Sequence, residues 1–299
     1  MLSALTEVIL PVVLVASLGA LLARRFTLDQ PTLNKIQLYG LVPALAFSSL
    51  MKTTAPMGDT IRLAVAYGVV SLAIGVLAWL AGRFLPARSR RGVIACAVIG
   101  NNGNFGLPIA LLALGQAGLD QAVVIFVASL ILMWTVGPAV LGSHGGPLGA
   151  LRAILRLPTI WAVALAGVLR ATGLSLPAGI NTGIDLVAAG AVPIVLLGLG
   201  IQLGNMGRLH LTAPVLTAAV LRVLVLPLVT LGLGRLMGLS GLPLQSLVLA
   251  CAMPTAVNVL MIAMEYDAEP DAIASAVALS TFASIPTLAL VVSNLALFA

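Results

Sequence analysis

Apolar residues run along this chain in long blocks separated by short polar groups, and most blocks approach the thickness of a bilayer. A spanning helix needs about 20 apolar residues. The pattern predicts ten crossings, at roughly 4–23, 33–51, 61–83, 92–115, 120–141, 157–171, 183–204, 211–237, 245–266 and 271–298. The fourth and ninth are interrupted. One breaks at Gly100-Asn101-Asn102-Gly103-Asn104-Phe105-Gly106-Leu107-Pro108, the other at Met253-Pro254-Thr255-Ala256-Val257-Asn258. Gly and Pro weaken or break the backbone ladder, and an unpartnered amide in an apolar medium costs roughly 2–7 kcal/mol. Irregular backbone survives at membrane depth only where it is buried in protein or lines a wet cavity. Each half of a broken segment has about nine residues, or about 14 Å, which is half of a core of about 30 Å. Both breaks are therefore expected near the midplane.

The pattern also repeats. Gly40-Leu41-Val42-Pro43 returns as Gly190-Ala191-Val192-Pro193, an offset of 150, and Gly82-Arg83 as Gly234-Arg235, an offset of 152. Cys96, Asn104 and Asp120 return as Cys251, Asn258 and Asp271, at offsets of 155, 154 and 151. We expect two homologous five-helix halves, 1–141 and 157–299, joined by a short cytoplasmic linker over 142–156. Five crossings is an odd number, so the second half enters from the opposite side. Such inverted repeats belong to secondary transporters, whose matched interruptions point to the binding site.

Composition fits this picture. The hydrophobic fraction is 61% and only 8% of residues are charged, against about 25% in soluble domains; mean hydropathy is +1.16. The first helix carries Glu7 with no basic region or cleavage site and reads as retained. Arg24, Arg25, Lys35, Arg83, Arg88, Arg90, Arg91, Arg152, Arg156 and Arg208 fall on one side, and Lys52, Arg62, Arg170 and Arg235 on the other. Positive charge marks the cytoplasmic side, which places both termini outside. The net charge of +6 is thus a topology signal and a contact for membrane lipid, not a nucleic-acid surface. Cys96 and Cys251 lie inside apolar segments and read as packing residues rather than a disulfide or metal pair.

Candidate ligand contacts gather at the breaks. Asn101, Asn102, Asn104 and Asn258 offer donors and acceptors without fixed charge, suiting a carboxylate, a hydrated ion or water. Where a helix restarts, its free N–H groups and positive dipole end favour an anion. The bland alternative is that the amides only satisfy carbonyls freed by the breaks. Gly106 belongs to the same run, and Pro254-Thr255 opens the second break with a hydroxyl that could meet substrate or sodium. Arg222 lies mid-segment, where a charge costs about 2.5–3.5 kcal/mol; it could pair with an anion, bond carbonyls at a break, or snorkel. Pro43 and Pro193 read as symmetric kinks. Glu7, Asp185 and Glu265 read as helix-end residues, with carriage of coupling protons the lesser alternative, and His144 and His210 as loop residues. The glycine-rich run lacks the Lys-Ser/Thr of a phosphate loop. No nucleophile–base pair, metal cluster or cofactor motif is present, so an enzyme is not expected.

Ten helices and the two broken motifs together resemble the auxin efflux carrier family of bacteria and plants, across essentially the whole chain. The resemblance implies a fold like that of bile-acid:sodium symporters and sodium/proton antiporters, with helices four and nine crossing. It implies a scaffold of helices 1, 2, 6 and 7, often dimeric, and a moving unit of helices 3–5 and 8–10. It also implies organic anions as substrates, in bacteria dicarboxylates such as malate or malonate at the inner membrane. The expectation is an elevator-type carrier of a small organic anion, a homodimer without cofactor or metal, with sodium or proton coupling open. The substrate-binding residues are expected among Asn101, Asn102, Asn104, Gly106, Pro254, Thr255, Asn258 and Arg222. A sodium-coupled symporter is the nearest alternative; an anion channel or transporter-derived sensor is the alternative of another class.

Overall fold

The computed structural model describes residues 4–142, 146–204 and 209–298, and among them every regular element is helical. The predicted loop residue His144 and the predicted inside charge Arg208 lie outside the described residues. In chain order the helices are α1 (Leu10–Arg25), α2 (Gln30–Ile36), α3 (Val42–Lys52), α4 (Met57–Ala81), α5 (Ala87–Val98), α6 (Leu107–Leu141) and α7 (Gly146–Leu155). There follow α8 (Pro158–Thr172), α9 (Ala178–Ala189), α10 (Ala191–Gly204), α11 (Ala213–Val220) and α12 (Leu226–Leu236). The last three are α13 (Gly241–Cys251), α14 (Asn258–Glu265) and α15 (Pro270–Ser293).

Six continuous stretches are long and apolar enough to cross a membrane: Ala4–Arg25, Met57–Phe84, Asn102–Leu141, Ala178–Gly204, Ala213–Leu236 and Pro270–Ser293. A seventh appears if Leu148–Leu155 and Pro158–Thr172, bent by 71°, count as one. Most of the expected linker is therefore helical, as α7. The long run of α6 turns at Gly115, with φ 68° and ψ −164°. A side chain rarely adopts that conformation, whereas glycine does so freely. The turn falls where the sequence pattern separates its fourth and fifth segments. Helices α5, α13 and α14 have 12, 11 and 8 residues, too short to span alone.

Four turns are wound wider than an α-helix: Ala4–Ile9, Gln37–Leu41, Asn102–Gly106 and Leu221–Val225. Each is followed by a residue and then a proline, at Pro11, Pro43, Pro108 and Pro227. A proline has no N–H, and its ring presses on the carbonyl four residues back. Those carbonyls belong to Glu7, Tyr39, Asn104 and Val223, all inside the widened turns. The mid-helix prolines thus explain the interruptions, and one of them shapes the first break itself.

The helices pack in two groups. α1 lies along α10, and α3 against α8 and α9. A Cβ on Gly200 would overlap the Ala16 carbonyl, and one on Gly19 the Leu197 carbonyl; small residues let membrane helices approach this closely. The second group contains α4, α5, α6 and α11–α15. The groups touch where α10 meets the wide turn Asn102–Gly106 and where α3 meets α6. Leu72, Leu186 and Leu228 point outward, as expected of a surface solvated by lipid tails rather than water.

Charged side chains close the ends of the bundle. Arg170 donates to the Ala55 carbonyl at 2.7 Å, and Arg235 to that of Leu297 at 3.1 Å. Arg62 donates to the Met237 carbonyl. Arg88 pairs with Asp267 at 3.0 Å, beside Ser89 donating to Glu269 at 3.0 Å. Asp185, read from the sequence as a helix-end residue, sits inside α9. It is held there by Lys52 at 2.7 Å and Ser48 at 2.6 Å.

Candidate functional site: the crossing of two helix breaks

α5 ends at Val98 and α13 at Cys251, and the irregular segments that follow meet each other. Gly100 and Thr255 form an isolated antiparallel bridge. The Asn101 N–H donates to the Pro254 carbonyl at 2.8 Å, and the Ala256 N–H to the Ile99 carbonyl at 3.0 Å. A buried backbone group must find a partner. Each break supplies the other's, which is why neither needs a complete helix.

Behind the bridge lies Arg222, 1% exposed. Its Nε donates to the Met253 carbonyl at 2.7 Å, and its Nη1 to the carbonyls of Ala97 at 3.0 Å and Val98 at 3.3 Å. These carbonyls sit at or just beyond the C-terminal ends of α13 and α5, where the helix dipole is negative. No carboxylate lies within ion-pair distance of it among the described residues. Of the sequence alternatives, the one observed is the bond to freed carbonyls. The guanidinium packs against Gly100 so closely that any Cβ there would overlap it.

The Thr255 hydroxyl, fully buried, donates to the Cys96 carbonyl at 2.9 Å. The Asn102 amide donates to the Tyr67 hydroxyl at 2.8 Å. Pro254 takes part through its carbonyl, and Gly106 is buried beside Met253 and Asn102. Cys96 and Cys251 are both buried and unpaired.

In front of the bridge is a cavity of about 270 Å³. Asn101, Asn104 and Asn258 line it, with Gly100 and Gly103 between them. Asn101 Oδ1 also accepts from the Asn104 N–H at 3.2 Å, capping the helix that restarts there. α14 begins at Asn258, so its N-terminal end lies at the same cavity, with the Val259 and Leu260 N–H groups donating to the carbonyls of Ala256 and Val257. The eight expected residues thus divide: Asn101, Asn104 and Asn258 line the cavity, whereas Asn102, Gly106, Pro254, Thr255 and Arg222 do not.

Sequence reasoning overlooked the rest of the lining. Gln37 and Gln202 face the cavity from the other packing group, and Ser129 and Trp134 from the second part of α6. Gln202 stands in Leu199-Gly200-Ile201-Gln202-Leu203, a lone polar residue within an apolar run. That was a usable signal. Glu265, weighed from the sequence as a helix-end group with a coupling-proton role as the lesser alternative, is the sole acidic or basic side chain lining the cavity among the described residues.

Comparison with known proteins follows this geometry. The chain is 27% identical over 294 residues to an "Uncharacterized transporter" of Methanothermobacter thermautotrophicus, covering 95% of this chain and 96% of the relative. It is 26% identical over 282 residues to "Uncharacterized transporter YfdV" of Escherichia coli, covering 87% of each. A Rhizobium meliloti protein named "Putative malonate transporter" is 28% identical over 310 residues, covering 95% of this chain and 93% of the relative. The sequence model of the family described as membrane transport protein matches residues 4–151 and 148–292. Nearly the whole chain is matched, and the protein therefore belongs to this family of multi-pass membrane transporters, the auxin efflux carriers.

Proposed function

We propose that this transporter is a secondary carrier for a small organic anion, and that its carboxylate binds at the cavity in front of the crossing. The observation that carries this reading is the convergence of Asn101, Asn104 and Asn258 with two restarting helices on one cavity. Amide donors and helix N-termini hold a carboxylate without a fixed charge that would have to be desolvated with it. The malonate in one relative's name agrees with a ligand of this chemistry.

In the proposed mechanism the ten apolar segments are two inverted repeats, 1–141 and 157–299. The group containing the crossing moves against the α1/α3/α8–α10 scaffold, as in an elevator. Support comes from the position of the cavity, which has lining residues from both packing groups, so relative movement would change its access. The lysine and arginine asymmetry favours an arrangement with both termini outside an inner membrane, and in this reading the scaffold is the surface on which two copies would pair.

The test is counterflow of labelled malonate in proteoliposomes, with Asn104→Ala and Asn258→Leu as variants. Uptake in the parent and its loss in both well-folded variants is expected. Undiminished uptake in the variants would remove the crossing as the site. A second reading, coupling to sodium or protons, is favoured by Glu265 at the cavity. It predicts uptake that depends on a sodium or proton gradient and loses that dependence in Glu265→Gln.

A further inference from the structure

Two polar side chains at the cavity remain unexplained by a carboxylate held at the crossing. Gln202 is 7% exposed, its Oε1 is buried without a partner, and its side chain makes no hydrogen bond to any described residue. The indole Nε1 of Trp134 is likewise buried without a partner. Leaving such groups unpaired is costly, and native structures do so rarely. Both residues line the same cavity.

The surroundings hold Gln202 at this place. Ile194, Gly198 and Gln202 recur every four residues and so share one face of α10. Gln37 donates through Nε2 to the Ile194 carbonyl at 3.0 Å. Gly198 leaves room for that amide, since a Cβ there would stand 2.6 Å from Gln37 Nε2. With Gln37 committed, Gln202 is the glutamine of this face free to meet a ligand.

The charges say what kind of group would meet it. No lysine or arginine lines the cavity among the described residues, and the one ionisable lining residue is Glu265. Arg222 lies behind Gly100 at the crossing. One carboxylate is accommodated there; a second full negative charge elsewhere in the cavity would have no cation and would face Glu265. An amide and an indole N–H instead suit an uncharged oxygen. Trp134 can only donate, and Gln202 can donate or accept as its amide turns.

We infer that Gln202 and Trp134 form a second polar subsite. It reads an uncharged oxygen-bearing group on a singly charged carboxylate: a hydroxyl, carbonyl or amide oxygen, or the protonated end of a dicarboxylic acid. The inference rests on the carboxylate site proposed above and adds the second functional group of its substrate.

The experiment measures binding to the purified full-length protein by ligand-induced thermal shift. It compares propionate with 3-hydroxypropionate, and butyrate with malonamate, in the parent, Gln202→Leu, Trp134→Phe and Asn104→Ala. A ligand that binds only the folded state raises the melting temperature according to its concentration over its Kd. In the parent the oxygen-bearing member of each pair is expected to bind about tenfold more tightly, the worth of roughly one net hydrogen bond. Gln202→Leu and Trp134→Phe should each shrink that ratio while leaving propionate affinity unchanged, and Asn104→Ala should weaken both members together. Equal affinities within each pair in the parent, or a ratio that survives both subsite variants, would overturn the second subsite. Absence of any carboxylate binding, or propionate binding indifferent to Asn104→Ala, would instead overturn the carboxylate site itself.

Discussion

The back and front of the crossing are built from the same few residues and follow opposite rules. At the back, Arg222, Thr255 and the Asn102 amide nitrogen each reach a named partner, and each side chain is buried. At the front, Asn258 is exposed to the cavity, Asn104 is half-buried, and Gln202 is buried yet unpaired. Adjacent residues fall on different sides: Asn101 faces the cavity while Asn102 turns to Tyr67. At the back most polar groups are committed to the frame of the broken helices, although Arg222 Nη2 and Asn102 Oδ1 are buried there without a partner. At the front the unpaired groups belong to side chains that line a cavity, where a ligand can reach them. Substitution should therefore separate the two sides, with stability losses at the back and transport losses at the front.

The largest stability loss is expected at Arg222. Arg222→Met leaves the Met253, Ala97 and Val98 carbonyls without this donor, at about 1 kcal/mol or more for each. The loss should total about 3 kcal/mol and appear as a marked fall in melting temperature in detergent. Arg222→Lys should recover only part of it, because an ammonium cannot reproduce the planar fork that reaches both helix ends. A melting temperature unchanged in Arg222→Met would erase the distinction between back and front.

Thr255→Val comes next. It keeps the shape but removes the donor to the Cys96 carbonyl inside a fully buried contact, at about 1–3 kcal/mol. Asn101→Ala should cost less, about 1 kcal/mol, because it removes a capping acceptor at the restart of a helix. Asn101 stands on both sides of the comparison, so this variant alone should lose some stability and some transport together. Urea or thermal melts read beside uptake would show it; loss of only one property would assign Asn101 wholly to that side.

How far the sequence could be read follows from the same division. The breaks at Gly100–Pro108 and Met253–Asn258 were legible because Gly, Pro and Asn in an apolar run contradict a continuous helix. The membrane-spanning class was legible from apolar block length. Which way each amide points was not, because Asn101 and Asn102 are the same residue type one position apart, and only the antiparallel bridge sets their faces. Arg222 could be recognised as anomalous, but its partners are backbone carbonyls, and carbonyls carry no residue-type signal. Gln202 was visible yet passed over, since a single glutamine in α10 gains meaning only when Gln37 is seen to be occupied with Ile194.

The smallest stability effect is expected at Asn104, where the comparison is sharpest. Its side chain makes no hydrogen bond to any described residue, so Asn104→Ala orphans no buried partner. It also places the better helix former just before Leu107, where propensity slightly favours alanine. The melting temperature should stay close to that of the parent, within about 0.5 kcal/mol of stability. Malonate counterflow should nevertheless fall to background. If instead the variant melts far below the parent, the Asn104 amide is holding the break together, and the front of the crossing is frame as well. If it melts like the parent and still transports, the carboxylate lies elsewhere in the cavity, and Asn258 becomes the residue to test.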